Sequence, residues 1–418
     1  MSDSAIYEAL LSRQPVLDLQ QELVGYELTL LPPTDANITL AHDSSRAATL
    51  VCAVYAELGI RSALGRSKAF LRVDLDFFHG DAIEALPADA VVLELVLDAA
   101  PDERTLERCR ALRDRHFSMA LGGYAGLDER SRPVLTLLDV VKIDIRQCDD
   151  ATLGALAGPL TRLPLKLLAQ GVDTQEEMER CKKAGFQLFQ GYYFARPEIV
   201  SGRRLSPSQA SLIQLINLAG RDSDTAKIEA AFKHEPALAV NLLRIVNSVG
   251  YGLTRRIGSL RHAITLLGRR QLQRWLQLLL MTPPGKTPDI NRSPLLQVAV
   301  LRGRMMEMLI EYSRPRDRTL ADQAFITGIM SMMPAALGLP MNEILKQISL
   351  EPEVMEALTT HAGALGQTFA LLECFDADDG HGCDLLLAQL QASGLDRGKL
   401  NACLTESLRW VNGSSEEL

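Results

Sequence analysis

Hydrolysis or group transfer needs side chains that can hold a cation or move a proton, and this chain offers few of them at useful spacing. Its only His-Asp dipeptide is His42-Asp43, at a position that reads as a surface or helix-start pair. His234, His262, His361 and His381 stand alone, with no spacing that puts several on one ion. His262, inside an apolar and basic stretch, is more simply a packing or hydrogen-bonding residue than a ligand. Seven cysteines, an odd number with no C-x-x-C pair, fit neither a disulfide framework nor a zinc site and point to a reducing cytoplasm. Cys374 and Cys383 are too isolated to suggest a metal. What remains is a set of charged residues inside apolar runs: Glu27 in LVGYELTLL, Glu94 in AVVLELVL, and Lys142 with Asp144 in VVKIDI. Charges buried in such runs have to be paired.

The elements that would position these residues alternate between strand and helix. Arg13 to Leu19 and Leu23 to Leu31 read as two strands joined by the polar turn Gln20-Gln21-Glu22. Ser44 to Leu58 has helical spacing, Ala69 to Phe78 alternates like a strand, and Ala90 to Leu97 is a buried strand. A charged helix over about Asp102 to Arg115 precedes the runs Phe117 to Leu121 and Val140 to Ile145. Leu165 to Ala169 is a further strand, after which Thr174 can cap a helix with Glu176 and Glu177 in its first turn and Lys182 and Lys183 in its last. Gly185 stops that helix, and Phe186 to Phe189 form the next strand. Strands separated by helices over about 200 residues predict one α/β barrel.

The phrases LLAQGVDT and GFQLFQGYYFARP, within Leu165 to Pro197, resemble the last part of an EAL domain, the bacterial signalling barrel whose active members hydrolyse cyclic di-GMP. The resemblance implies a TIM-like barrel in which acids at the strand ends hold two divalent cations that activate water. Carried over residue by residue, it places the signature tripeptide at Glu27-Leu28-Thr29 and keeps Glu94, Lys142, Asp144 and Gln190. The phosphate-gripping arginine is replaced by Leu31 and a metal-binding asparagine by Arg72. The Asp-Asp pair that bridges the metals becomes Gly122-Gly123, and the later catalytic glutamate becomes Gln170, with Asp173 where a second glutamate is expected. Two carboxylates cannot build a two-metal oxygen cage, and Arg72 puts positive charge where a ligand should sit. The expectation is therefore a degenerate barrel that is not an enzyme and takes no metal or cofactor. The plainer account of Glu27 and Glu94 is a salt-bridge network with Arg72 and Lys142.

From Ser201 onward the pattern is helical only. Ser206-Pro207-Ser208-Gln209 is a strong helix start. Further helices are predicted over Ala210 to Leu218, Asp224 to Lys233, Pro236 to Asn247, Leu260 to Leu280, Leu295 to Tyr312, Leu320 to Met332, Met341 to Ile348 and Pro352 to Thr360. HEPALAVNLLRIVNSVGYG and IGSLRHAITLLGRRQLQRWL resemble an HDOD domain, the all-helical relative of the HD phosphohydrolases that has lost their metal site. Arg255, Arg256, Arg261, Arg269, Arg270 and Arg274 form a basic cluster, read either as a solvated face or as a docking surface for an acidic protein partner.

Charge supports a boundary near residue 200. Residues 1–200 hold 21 Lys+Arg against 30 Asp+Glu, a balance of −9, whereas residues 201–418 hold 23 against 22, or +1. The expected organisation is an EAL-type barrel over 1–200 and an HDOD-type all-α bundle over 201–418. Neither half is basic enough for nucleic acid, and only Tyr251 and Trp275 supply aromatics near the arginines. No signal peptide and no membrane span are expected. The composite reading is a silent signalling protein working through protein contacts. Its rivals are a cyclic di-GMP receptor, against which Leu31 argues, a residual phosphodiesterase and a nucleic-acid-associated regulator.

Overall fold

The computed structural model describes residues 10–31, 64, 67–196, 205–220, 223–247, 257–282, 290, 293–377, 379–390 and 394–414. The helix predicted over Ser44 to Leu58 lies outside them. Eight strands close into a barrel in chain order: β1 (Leu10–Asp18), β2 (Leu23–Leu31), β3 (Lys68–Val73), β4 (Val91–Val96), β5 (Ser118–Gly122), β6 (Val140–Asp144), β7 (Lys166–Gln170) and β8 (Leu188–Gln190). β1 is antiparallel to both neighbours and every other pair is parallel, so this barrel departs from the all-parallel TIM pattern at one strand. The reason is local. The Asp18 carboxylate accepts the N–H groups of Gln20 and Glu22, and Gln21 turns the chain back at φ 60°, making a hairpin where the other connections are crossovers.

Inside the barrel, Val16, Phe70, Val92, Ala120, Val140, Leu168 and Leu188 make one buried apolar layer. Two residues further along each parallel strand the chain reaches the same face again. The next layer therefore collects Arg72, Glu94, Gly122, Lys142, Gln170 and Gln190.

Helices α1 (Leu75–His79), α2 (Glu103–Asp114), α3 (Asp150–Ala157) and α4 (Gln175–Lys183) link the strands. The strand predicted through Phe78 stops at Val73, because the Asp74 carboxylate caps α1 by accepting the Phe77 N–H at 2.7 Å. The apolar alternation continued past a residue that could end it. α4 has the expected capping box: Thr174 Oγ1 accepts the Glu177 N–H, and Glu177 accepts that of Thr174.

The later helices are α5 (Pro207–Gly220), α6 (Thr225–Lys233), α7 (Pro236–Val246), α8 (Leu260–Leu280), α9 (Pro294–Ser313), α10 (Arg318–Met330), α11 (Met333–Leu337), α12 (Met341–Leu345), α13 (Pro352–Thr360), α14 (Gly363–Asp376), α15 (Gly380–Gln389) and α16 (Arg397–Ser414). α8 is two helical pieces, since Gly268 has φ 74° and ψ 159°. Helices α3, α11 and α14 to α16 were not foreseen. Residues 318–337 are long and apolar enough by composition to pass for a membrane span, and more than half of that window is buried inside the protein, as in a core helix.

α9 and α10 cross at glycine. A Cβ on Gly328 would lie 2.6 Å from the Gly303 Cα, against backbone that cannot swing aside. Gly328→Ala is expected to lower stability by about 1–3 kcal/mol or more, checked by urea unfolding followed by far-UV circular dichroism.

Two compact units result. The first holds residues 1–194 with 374–387 and 396–408; the second holds 195–373 with 388–395 and 409–418. The C-terminal helices are thus divided between the units.

Candidate functional site

The C-terminal ends of the parallel strands bring the charged residues of the apolar runs together. Lys142 of β6 is 1% exposed, and its Nζ donates to Glu27 Oε2 at 2.7 Å and to Glu94 Oε2 at 2.5 Å. Glu27 and Glu94 are themselves buried. The ammonium therefore sits between two carboxylates that come from strands far apart in sequence. Burial works against its charge, but the two carboxylates prevail and raise the Lys142 pKa. Burial also pushes Glu94 up, opposed by Lys142 and reinforced by Glu27.

Arg72 is not part of this bond network. It faces Glu94 across the β3–β4 register but is exposed, with no ion pair among the described residues. The salt-bridge network expected from the sequence is thus built on Lys142 alone. Arg72 acts on Glu94 only through space, weakly favouring its charged form.

Gly122 explains how Glu94 reaches its place. A Cβ built there would stand 2.2 Å from Glu94 Oε1, so the carboxylate occupies the space a side chain would take. Gly123 follows at φ 66°, a conformation that suits glycine. The glycine pair is thus a requirement of this packing.

Gln190 is 1% exposed and donates from Nε2 to Gln14 Oε1 at 2.7 Å, while its Oε1 has no partner among the described residues. Gln14 lies opposite Glu27 on β1, and the sequence analysis missed it. Strand alternation in RQPVLDL could have found it, since Gln14 shares the face of Val16. Asp144 and Gln170 are in register at the β6–β7 edge. Asp144 is held by Arg146, with Nη2 to Oδ2 at 2.5 Å, and this bond lowers its pKa. Gln170 is half-buried, and the Leu31 side chain lies outside the described residues. No group of three or more His, Cys, Asp or Glu placed to hold a metal ion is found among the described residues.

The described arginines of the cluster do not form one free basic face. Arg255 and Arg256 lie outside the described residues. Arg261 pairs with Glu229 at 2.8 Å, and Arg269 donates to the Ser223 carbonyl. Arg270 pairs with Asp322 at 2.5 Å, while Arg274 bonds Glu307 and Asp322 and lies over the Phe325 ring at 3.8 Å. The four described members have intrachain partners: Arg261, Arg270 and Arg274 meet acids of neighbouring helices, and Arg269 meets a backbone carbonyl. That weakens the docking reading.

The EAL domain model matches residues 76–197 and the HDOD domain model residues 206–361. The chain carries an EAL domain followed by an HDOD domain. Among whole proteins it is 26% identical over 419 residues to cyclic di-GMP phosphodiesterase CdgJ of Vibrio cholerae serotype O1, covering 98% of this chain and 93% of that one. It is 24% identical over 407 residues to the uncharacterized protein YuxH of Bacillus subtilis strain 168, covering 96% and 97%. A solved EAL domain protein of Listeria monocytogenes EGD-e is 18% identical, spans 47% of this chain and 93% of its own, and has a TM-score of 0.36.

Proposed function

We propose that this chain is a catalytically silent EAL–HDOD protein that acts through protein contacts in a cyclic di-GMP-related bacterial pathway. The pathway assignment draws on the two domains and on the name of the full-length relative CdgJ. The silence rests on one observation: among the described residues the barrel mouth holds two buried carboxylates, and a buried ammonium bridges them. The divalent pair implied by the EAL family needs several more oxygen ligands near octahedral geometry. The inward positions that could supply them are Arg72, Gly122, Gln170 and Gln190. A side chain restored at 122 would collide with Glu94. These residues do not fit two divalent ions, and no catalytic step is derived through them.

Purified protein incubated with cyclic di-GMP and manganese is expected to release no linear dinucleotide above the protein-free blank. Turnover that disappears in Glu27→Ala would overturn the proposal. A receptor without hydrolysis is the second reading, favoured by the exposed guanidinium of Arg72 beside the mouth, which has no ion pair among the described residues. The sequence argument against nucleotide binding from Leu31 finds no support in the structure or the comparisons. Saturable calorimetric binding without turnover would select the receptor.

A further inference from the structure

We infer that the C-terminal helices α15 and α16 are an integral edge of the barrel, closing the side of β1 that β8 leaves open. Neither family match reaches them, since the HDOD match ends at residue 361.

The barrel closes through a short seam. β8 pairs with β1 only at Val16, Leu17 and Asp18. Beyond these, the backbone groups of β1 that face away from β2 meet no strand among the described residues. Pro15 has no N–H, and its carbonyl accepts from Gly191 at 3.4 Å. The Arg13 carbonyl accepts the Tyr192 hydroxyl at 2.9 Å. The Leu11 N–H, on a residue only 2% exposed, donates to Asn401 Oδ1 at 2.9 Å, across 390 residues of chain. A buried N–H without a partner is costly, so this bond completes the edge.

Asn401 is fixed for that role. Its helix buries Leu400, Cys403, Leu404, Ser407 and Leu408, one face at helical spacing. Asp384 of α15 accepts from Arg397 at 2.6 Å, tying α15 to the start of α16. Residues 374–387 and 396–408 belong to the same compact unit as the strands. β1 also carries Gln14, the partner of Gln190, so one strand is shared by the C-terminal edge and the barrel mouth. The inference is independent of whether the mouth has any catalytic activity.

The test is hydrogen exchange by mass spectrometry on the full chain. Asn401→Leu removes the acceptor at similar volume, whereas Asn401→Asp keeps one. In the leucine variant, exchange across residues 10–18 is expected to rise on the order of tenfold with helices 207–360 unchanged. The aspartate variant is expected to stay near wild type. Unchanged exchange over 10–18 in a folded leucine variant overturns the inference. The wild-type chain gives a reading that does not depend on variant folding: with rising urea, segments 10–18 and 396–408 should lose protection together. Loss of 396–408 well before 10–18 also overturns it.

Discussion

Lys142→Met is expected to cost about 3–5 kcal/mol of stability at neutral pH, because it leaves Glu27 and Glu94 buried without their counter-charge. The effect should depend on pH in a definite sense. In the variant, burial holds the Glu94 pKa above that of the unfolded chain, with no ammonium left to oppose it. The folded protein then binds more protons than the unfolded one, so stability is highest below the unfolded glutamate pKa. It is lost as pH rises through the raised folded value. Urea unfolding at pH 5 and pH 7.5 should therefore show a smaller deficit at the lower pH. Replacing all three residues, as Lys142→Met with Glu27→Gln and Glu94→Gln, should recover much of the loss. A deficit that is the same at both pH values would mean that the carboxylates are not electrostatically coupled to Lys142. In wild type the same linkage runs through Lys142 itself. Its raised pKa contributes stability that is complete below the unfolded lysine value and is lost as pH climbs through the folded one.

Gly122→Asp is the second large effect. Its Cβ would stand 2.2 Å from Glu94 Oε1, so Glu94 must leave Lys142 or the strands must shift. The substitution also adds a third carboxylate beside two that share one ammonium. Overpacking of about 1–3 kcal/mol combines with the burial of an unpaired charge, so a loss of about 3 kcal/mol or more is expected. Gly122→Ala separates the two causes, since it carries the clash without the charge. Unfolding midpoints of both variants against wild type measure this. If Gly122→Asp restored a metal site on its own, millimolar manganese would raise its midpoint above that of wild type. On the present reading manganese leaves the deficit in place, because Arg72 and Gln170 still withhold ligands.

Much of this architecture was legible in the amino-acid order because the signals are local. Apolar runs of strand length, the Thr174–Glu177 capping box, the Ser206–Gln209 start and the motifs around Glu27 and Gln190 act within a few residues of themselves. The buried apolar runs Ala90 to Leu97 and Val140 to Ile145 also placed Glu94 and Lys142 on strands. Where a local signal was ambiguous the reading failed: Asp74 ended a strand that the apolar pattern prolonged to Phe78, and Gly268 split a helix that periodicity made continuous. Lys142 was legible as a partner of Glu27 and Glu94 only through the family resemblance, and neither the exclusion of Arg72 from that network nor the bond of Asn401 to Leu11 was legible at all. Lys142 meets Glu27 across 115 residues and Glu94 across 48, and Asn401 meets Leu11 across 390. Which strand neighbours which, and which acid turns toward Arg270 or Arg274, depends on closure of the barrel and packing of the helices. Sequence thus determined the elements and the residue types at the barrel mouth. Tertiary structure decided their pairing, since a buried charge or N–H is satisfied by whatever the fold brings within about 3 Å, however distant in the chain.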